Sequence, residues 1–310
     1  MQVRRSSDND IEDAKKIAAK LGIELKVLDR REIFKKFVIE PFISEYLSAR
    51  TPNPCVECNF AIKFGAMLDY ALENGCDGIA TGHYAKIEEE NGRFLLKRSE
   101  SSKDQSYFLY RLNQFQLSHS IFPLEGMEKS VIREKAEAAG IHVAEKKDSQ
   151  EICFVPNDDY ISYLSSLGIT SPKGNFIDTN GNILGEHNGI INYTIGQRKG
   201  LGAFGKPMFV MKISSADNTV TIGENGSQYS SGLIADRLNF IPFDKICEPL
   251  KVNAKIRFRA KEQPAMIIPD GDSTVKVIFD EPQRSVTPGQ SVVFYSGNTV
   301  IGGGRIISAI

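Results

Sequence analysis

The chain has 310 residues, of which 25% are charged and 41% hydrophobic, and its formal net charge is −1. This composition is ordinary for a globular protein of roughly two to three domains, and the apolar runs are too short for a membrane span. The five cysteines are too few, and odd in number, for a disulfide framework, so we expect a reducing, cytoplasmic compartment and no signal peptide. Because the net charge is near zero, local basic patches would have to hold any nucleic-acid partner.

The first part of the chain is typical of a parallel α/β sheet. Residues 10–21 carry apolar side chains at helical spacing, Gly22 ends the pattern, and residues 23–28 follow as a predicted buried strand. A second helical stretch, residues 33–47, is interrupted at Pro41. Helices alternating with buried strands favour a parallel α/β sheet.

Two cysteines open the next helical segment, residues 51–64 (TPNPCVECNFAIKF). The prolines force an extended backbone before Cys55 and Cys58, and an apolar helical face follows, ending at Gly75. We expect Asn59 to cap this helix, which would place Cys58 at its positive end and favour the thiolate. A closed zinc site is disfavoured because no second CxxC pair exists, which leaves reactive sulfur or a three-cysteine cluster.

Further ligand-binding turns follow along the chain. Residues 78–84 form a short apolar strand that runs into a Gly82-His83 turn, and such turns at the carboxyl ends of sheet strands bind ligands. A strand at 93–98, a polar loop at 99–105, and helical patterns at 107–112 and 126–139 come next. Cys153 is predicted where a polar loop meets a strand, with a buried, inert cysteine as the alternative.

The second half changes to β-structure. From about residue 171, turn pairs such as Asn180-Gly181 and Asn225-Gly226 separate short strands, and residues 193–202 form a basic, glycine-rich loop suited to phosphates. From about residue 236 the strands predict a compact barrel. Within it, residues 251–259 alternate apolar side chains with four cations, which we interpret as a phosphate-tracking surface rather than a merely solvated face.

Six motifs in this order resemble those of the bacterial tRNA-specific 2-thiouridylases, and the similarity runs from about residue 10 to the C-terminus. The motifs are TPNPCVECNFAIKF, IATGHYA, KDQSYFL, DSQEICF, YTIGQRKGLG and TPGQSVVFY. The resemblance implies an α/β plus β architecture. An incomplete, Rossmann-like ATP-pyrophosphatase domain would cover residues 1–165, a β-rich tRNA-binding domain 166–235, and a C-terminal β-barrel 236–310.

The reaction implied by this resemblance is transfer of sulfur to C2 of the wobble uridine of tRNA. ATP, with Mg²⁺, adenylates the 2-oxygen, and a protein persulfide supplies the sulfur through a cysteine desulfurase or a relay protein. Cys58 resembles the family's nucleophile and Cys153 its persulfide carrier, and the pair can close as a disulfide during turnover. Gly82 matches an ATP contact. The matched tRNA contacts are Asn53, Pro54, Cys55, His83, Lys103, Asp104, Gln105, Arg257, Phe258 and Gln290.

Two departures from the family pattern leave alternatives open. Many members have an aspartate, read as an acid/base helper, where this chain has Cys55, so Cys55, Cys58 and Cys153 could instead hold a [4Fe–4S] cluster. The family also opens with a strand, a Ser-Gly-Gly-Val-Asp-Ser pyrophosphate loop, a helix and a second strand, where this chain has only MQVRRSSDN. We therefore expect an N-terminally truncated chain that is marginally stable and unable to adenylate tRNA, or a catalytically dead tRNA-binding module.

Overall fold

The computed structural model describes residues 8–141 and 152–310, and helices dominate its first half and strands its second. The α-helices are α1 (Asp8–Leu21), α2 (Arg31–Phe34), α3 (Glu40–Leu47), α4 (Pro54–Cys58), α5 (Met67–Glu73), α6 (Gln114–Ser118), α7 (Lys129–Ala138) and α8 (Tyr160–Ser166). The strands are β1 (Ile79–Ala80), β2 (Ala85–Glu90), β3 (Arg93–Arg98), β4 (Ser120–Ile121), β5 (Gly174–Ile177), β6 (Ile183–His187), β7 (Met208–Ser214), β8 (Thr219–Glu224), β9 (Tyr229–Phe240), β10 (Leu250–Lys255), β11 (Gln263–Pro269), β12 (Val275–Arg284), β13 (Ser291–Ser296) and β14 (Thr299–Ala309).

The predicted first helix is confirmed, but the predicted strand after it is wrong. Helix α1 ends at Leu21, and Gly22 follows with a left-handed φ of 66°. Residues 23–28 form no strand, and Ile23 and Val27 are 60% and 59% exposed. A strand needs a neighbour that accepts and donates its backbone hydrogen bonds, and in the described residues none pairs with this segment.

Two π-helical turns lengthen the helices that follow. Helix α2 continues into α3 through a π-helical turn at Lys35–Ile39, and Pro41 then lies in the first turn of α3. The predicted interruption at Pro41 is thus a change of helix type, not a break. A second π-helical segment, Asn59–Ala66, joins α4 to α5. Segments of this kind are rare and frequently occur at functional sites.

The cysteine-bearing helix begins earlier than the sequence predicts. Pro54 is its first residue, a position that suits proline because the ring presets φ and no helical N–H is lost. Asn53 therefore precedes the helix, and the expectation that Asn59 caps it is wrong. The predicted end is confirmed, since Gly75 has a φ of 79° and its N–H bonds the Leu72 carbonyl at 3.1 Å.

The middle of the chain forms a four-stranded sheet in the order β6-β5-β8-β7. The hairpin predicted around Asn180-Gly181 joins β5 to β6, and a turn at Asp217-Asn218 joins β7 to β8. One hydrophobic core unites this sheet with α3 and the start of the π-helical segment. Its members include Phe42, Tyr46, Ile62, Phe154, Phe176 and Ile222.

The last strands close into a barrel. The strands follow the order β13-β10-β11-β12-β9-β14, and pairing of β13 with β14 closes the barrel. Strand β9 lies entirely in the barrel, although it begins before residue 236, where the sequence predicts the last domain to start. The hairpin of β2 and β3 extends the sheet at the Thr299–Lys97 pair, so the barrel is docked on the first domain. A core of side chains from both parts, among them Tyr107, Tyr110 and Tyr295, fills this junction.

In residues 251–259 the structure confirms the predicted inward-facing apolar residues of β10, but it does not confirm the predicted row of four cations on the other face. Val252 and Ala254 are buried, yet β10 ends at Lys255. Arg257 turns back along the barrel and donates to the Ser285 carbonyl and, at 3.3 Å, to Thr287 Oγ1. The four cations therefore do not form one row along a strand. None of the helices in the described residues has the length and apolarity that crossing a membrane would take.

Candidate active site

The two cysteines of α4 lie in different surroundings from those that the sequence suggests. Cys58 is 8% exposed, at the end of α4, and Cys55 is half-buried one turn earlier. Burial raises the pKa of Cys58 to about 12 and that of Cys55 to about 11. The prediction that helix capping makes Cys58 a resting thiolate is wrong. The helix starts at Pro54, four residues before Cys58, and desolvation of the thiol outweighs the helix dipole.

One cation opposes this effect of burial. The Lys63 ammonium lowers the pKa values of both Cys55 and Cys58, although burial still dominates. In an α-helix of 3.6 residues per turn, Cys58 and Lys63 would not share a face. Both residues lie next to or within the π-helical segment, where residue i aligns with residue i+5. The π-helix therefore brings a positive charge toward the thiol of Cys58.

Lys63 is held in place by His83. The Lys63 Nζ lies 3.3 Å from His83 Nε2, and the Thr81 Oγ1 lies 2.8 Å from His83 Nδ1. Burial, with the nearby Lys63 charge, lowers the pKa of His83 to about 3, so the imidazole is neutral at neutral pH. With Lys63 charged, Nε2 must accept its proton and Nδ1–H must donate to Thr81. His83 is thus a buried residue held by side chains, not by the backbone, and its predicted tRNA contact stays a prediction.

Gly82 precedes His83 in the chain and lies in an exposed turn. Strand β1 ends at Ala80, two residues before Gly82, and pairs in parallel with β4. A Cβ built at Gly82 would meet only Leu124 Cδ1, at 3.6 Å. The carboxyl end of β1 is therefore open at this point, as expected for a nucleotide contact in an α/β fold.

Cys153 reaches the same site from a remote part of the sequence. It lies in an exposed turn before the 3₁₀ helix Pro156–Asp158, so the prediction that it begins a strand is wrong. Its neighbour Phe154 is buried, with ring centroids 5.2 Å from Phe42 and 5.5 Å from Phe34. Cys153 is close enough to raise the pKa values of Cys55 and Cys58 electrostatically. Anchoring of Phe154 therefore presents an accessible thiol to the half-buried Cys55 and the buried Cys58.

The Lys103-Asp104-Gln105 loop supports the turn that carries Gly82. The Gln105 N–H donates to the Tyr84 carbonyl at 2.8 Å, and Gln105 Oε1 accepts from the Tyr84 N–H at 3.1 Å. Asp104 accepts from the backbone N–H groups of Ser99 and Ser106. Only Lys103 of the three is exposed. Two of these predicted tRNA contacts are therefore engaged in holding the loop, and their contacts with RNA stay predictions.

Aromatic and basic side chains meet where this loop reaches the barrel. The chain after Gln105 forms a 3₁₀ helix, Ser106–Leu109, shorter than the predicted helical stretch 107–112. The Phe258 ring, 37% exposed, lies 4.4 Å from the Phe108 ring, and Lys255 Nζ lies 5.5 Å from its centroid. An exposed aromatic ring beside a cation is the chemistry that stacks single-stranded bases.

A cavity of about 370 Å³ lies between α3, the start of α4 and the barrel. Four of the charged residues that line it form ion pairs: Arg305 contacts Glu45 at 2.9 Å and also Asp236 at 2.5 Å, and Arg111 pairs with Glu57. Asn53 and Pro54 line it, whereas the cysteines do not. The cavity therefore borders the first residues of the predicted tRNA-contacting segment but not the thiols.

The three cysteines do not assemble a metal site. Across residues 8–141 and 152–310, no group of three or more Cys, His, Asp or Glu side chains is arranged to hold a metal ion. The arrangement of donors thus does not fit the three-cysteine cluster that the sequence leaves open. Lys63, in contrast, was missed by the sequence reasoning, since α-helical spacing hides its relation to Cys58.

Comparison with known proteins gives matches along nearly the whole chain. Three family models match: "tRNA methyl transferase HUP domain" over residues 2–157, "tRNA methyl transferase PRC-barrel domain" over 162–224, and "Aminomethyltransferase beta-barrel domain" over 230–306. Proteins named tRNA-specific 2-thiouridylase MnmA are also similar. That of Clostridioides difficile (strain 630) is 52% identical over 96% of this chain and 83% of its own length. Those of Acetivibrio thermocellus and of Clostridium botulinum (strain Alaska E43) are each 52% identical, over 96% and 97% of this chain and 84% of their own lengths.

Proposed function

This chain belongs to the tRNA-specific 2-thiouridylase family, and from that premise we propose that it replaces the 2-oxygen of the wobble uridine of tRNA with sulfur. The observation that carries the proposal is the approach of Cys153 to Cys58, near enough for its charge to raise the pKa of Cys58, although the two thiols are far apart in the sequence. Binding RNA requires neither thiol, whereas sulfur transfer between two cysteines requires both.

The exposure of each cysteine supports a division of roles. Cys153, exposed, would receive a sulfur atom from a donor protein and carry it as a persulfide. The terminal persulfide sulfur bonds to C2 of the activated uridine, and the former 2-oxygen leaves with AMP. The Cys58 thiolate then attacks the Sγ of Cys153, which releases 2-thiouridine and leaves a Cys58–Cys153 disulfide. Two electrons from a thiol reductant restore the pair.

Lys63 would make the second step feasible. A thiol with a pKa of about 12 is almost fully protonated at neutral pH, so Cys58 needs a cation when it loses its proton. The nearby Lys63 ammonium lowers that pKa, which supports this role, and His83 contacts the ammonium at 3.3 Å. Burial would keep Cys58 unreactive until Cys153 and the RNA are in position.

ATP is the group that supplies activation of the 2-oxygen in this family, and the exposed turn at Gly82 would contact it. Among the described residues, no helix begins with a glycine-rich loop of the kind that cradles phosphates. We therefore assign to this chain's residues no step in phosphate chemistry, and Mg²⁺ remains an expectation.

The RNA itself would be held by the surface where the first domain meets the barrel. Phe258 and Lys255, with the exposed Arg198 and Lys199 of the basic loop, offer stacking and phosphate contacts. A cysteine desulfurase or relay protein in the cytoplasm is the proposed partner at exposed Cys153.

The alternative functions are not favoured. A catalytically dead binding module would not need the coupled thiols, and a cluster-dependent thiolase would need a ligand set that the described residues do not form. Two family models carry the name of a methyl transferase, but the relatives that are 52% identical are named 2-thiouridylases.

The test is thiolation of an unmodified tRNA transcript in vitro, with ATP and a persulfide donor. Nucleosides from the digested tRNA would be identified by mass spectrometry. We expect 2-thiouridine at the wobble position only when ATP is present, and this product would overturn the sequence-based expectation that the chain cannot adenylate tRNA. A methylated nucleoside, or unchanged uridine with tRNA still bound, would contradict the proposal.

A further inference from the structure

A barrel turn holds the loop that leads into the cysteine-bearing helix. The Gln290 Nε2 donates to the Thr51 carbonyl at 3.1 Å and to the Pro52 carbonyl at 3.0 Å. The Thr51 N–H donates to the Pro288 carbonyl at 2.9 Å. Three hydrogen bonds thus connect the turn 287–290 to two residues just before Asn53 and the first turn of α4.

The turn is itself anchored firmly. The Gly289 N–H donates to the Ile306 carbonyl at 2.9 Å, and the Ile306 N–H donates to the Gln290 carbonyl at 2.8 Å, so strand β14 fixes its position. Gly289 has a left-handed φ of 89°, and a Cβ at this position would lie 2.8 Å from the Thr51 oxygen and 2.9 Å from the Thr51 nitrogen. The backbone of the two segments is therefore in such close contact that only glycine fits.

The next residues of the loop make this contact matter for the thiols. Prolines at 52 and 54 restrict the backbone between the anchored Thr51 and Cys55, leaving little freedom to absorb a shift. A displacement of residues 51–52 would therefore pass into α4 and move Cys55 and Cys58 relative to Cys153.

We propose that Gln290 is a positioning residue, through which the barrel sets the position of the cysteine-bearing helix by donating to the Thr51 and Pro52 carbonyls. This inference rests on the proposed function for its kinetic readout. It differs from the tRNA contact that the family resemblance assigns to Gln290.

The test compares Gln290→Glu and Gln290→Met with the matched control Gln283→Glu. Gln283 is a half-buried barrel glutamine whose Nε2 donates to a carbonyl of its own strand, Glu281 O. Gln290→Glu keeps the shape but turns a carboxylate toward two carbonyls, so we expect kcat for thiolation to fall about 10- to 100-fold, with KM for tRNA within about twofold. The kcat of Gln290→Met should fall less than that of Gln290→Glu, and the kcat of Gln283→Glu should equal that of the parent protein.

A second readout does not depend on thiolation. Iodoacetamide labelling, mapped by mass spectrometry, would compare buried Cys58 with exposed Cys76 as an internal reference. We expect the Cys58-to-Cys76 labelling ratio to rise at least about threefold in Gln290→Glu, because loosening the loop exposes the thiol. If Gln290→Glu does not fold, Gln290→Met carries both measurements.

An unchanged kcat with a raised KM for tRNA would overturn the inference and make Gln290 an RNA contact. An unchanged labelling ratio in folded variants would overturn it as well. A parent protein that does not thiolate tRNA would defeat the proposed function alone, and the labelling ratio would still decide the role of Gln290.

Discussion

The two regions that supply thiols to the site are built in opposite ways. The helix that carries Cys55 and Cys58 ends at the buried Cys58 and continues directly into a π-helical segment. Cys153 itself is exposed, and its turn is held by the buried side chains of Phe154 and Val155. Burial raises the pKa of Cys58 to about 12. The two thiols thus lie near each other but differ in reactivity: Cys153 is accessible to a sulfur donor, whereas burial protects Cys58 from other reagents.

Removing either thiol should have the largest effect. We expect Cys58→Ser and Cys153→Ser each to reduce 2-thiouridine formation by about 1,000-fold or more, because a hydroxyl neither carries a persulfide nor resolves one. The tRNA affinity, measured by filter binding, should change less than about twofold. Cys76→Ser, at an exposed position, is the control. Loss of tRNA binding in either variant would mark that cysteine as structural.

Alkylation should reveal the contrast between buried and exposed thiols directly. At pH 7.5 we expect iodoacetamide to modify Cys58 about 100-fold more slowly than exposed Cys153, since a raised pKa and burial both reduce reaction with the thiolate. Labelling of Cys58 should accelerate as the pH rises above 9. Equal rates for the two cysteines at pH 7.5 would show that Cys58 is not protected.

Lys63→Met should make Cys58 still less reactive relative to Cys153. Without the ammonium, nothing offsets the burial of Cys58, so its pKa should rise and sulfur transfer should slow by about tenfold. Lys16→Met, on the exposed side of α1, is the matched control. A single-turnover rate unchanged by Lys63→Met would exclude Lys63 from the reaction.

His83 should have the smallest effect, visible as a pH dependence of stability. Its pKa is lowered to about 3 in the folded protein, so below about pH 6.5 the unfolded chain binds a proton that the folded chain does not. This difference lowers the free energy of unfolding by up to ~1.4 kcal/mol per pH unit as the pH falls from about 6.5 toward 3. His83→Gln should flatten that loss in urea unfolding between pH 7 and 4.5. Parallel curves for both proteins would contradict the buried, neutral imidazole.

Local periodicity predicted the parts of the fold whose partners are close in sequence. Strand β10 alternates buried and exposed residues because only one of its faces lines the barrel core. The helix ends at Gly22 and Gly75 follow from left-handed backbone that glycine adopts easily. Residues 23–28 show the limit of this reasoning. Their apolar pattern suits a strand, but a strand needs a partner, and none of the described residues supplies one.

The sequence by itself determined the family, the order of the domains and the identity of both coupled cysteines, since these depend on residue types in a fixed order. Only the tertiary structure decided their chemistry. Burial depends on what packs above a side chain, so a helix-start argument mispredicted the state of Cys58. The π-helical alignment of Lys63, the Thr81–His83 support and the Gln290 contacts with Thr51 and Pro52 all join residues through geometry that α-helical or strand spacing does not encode.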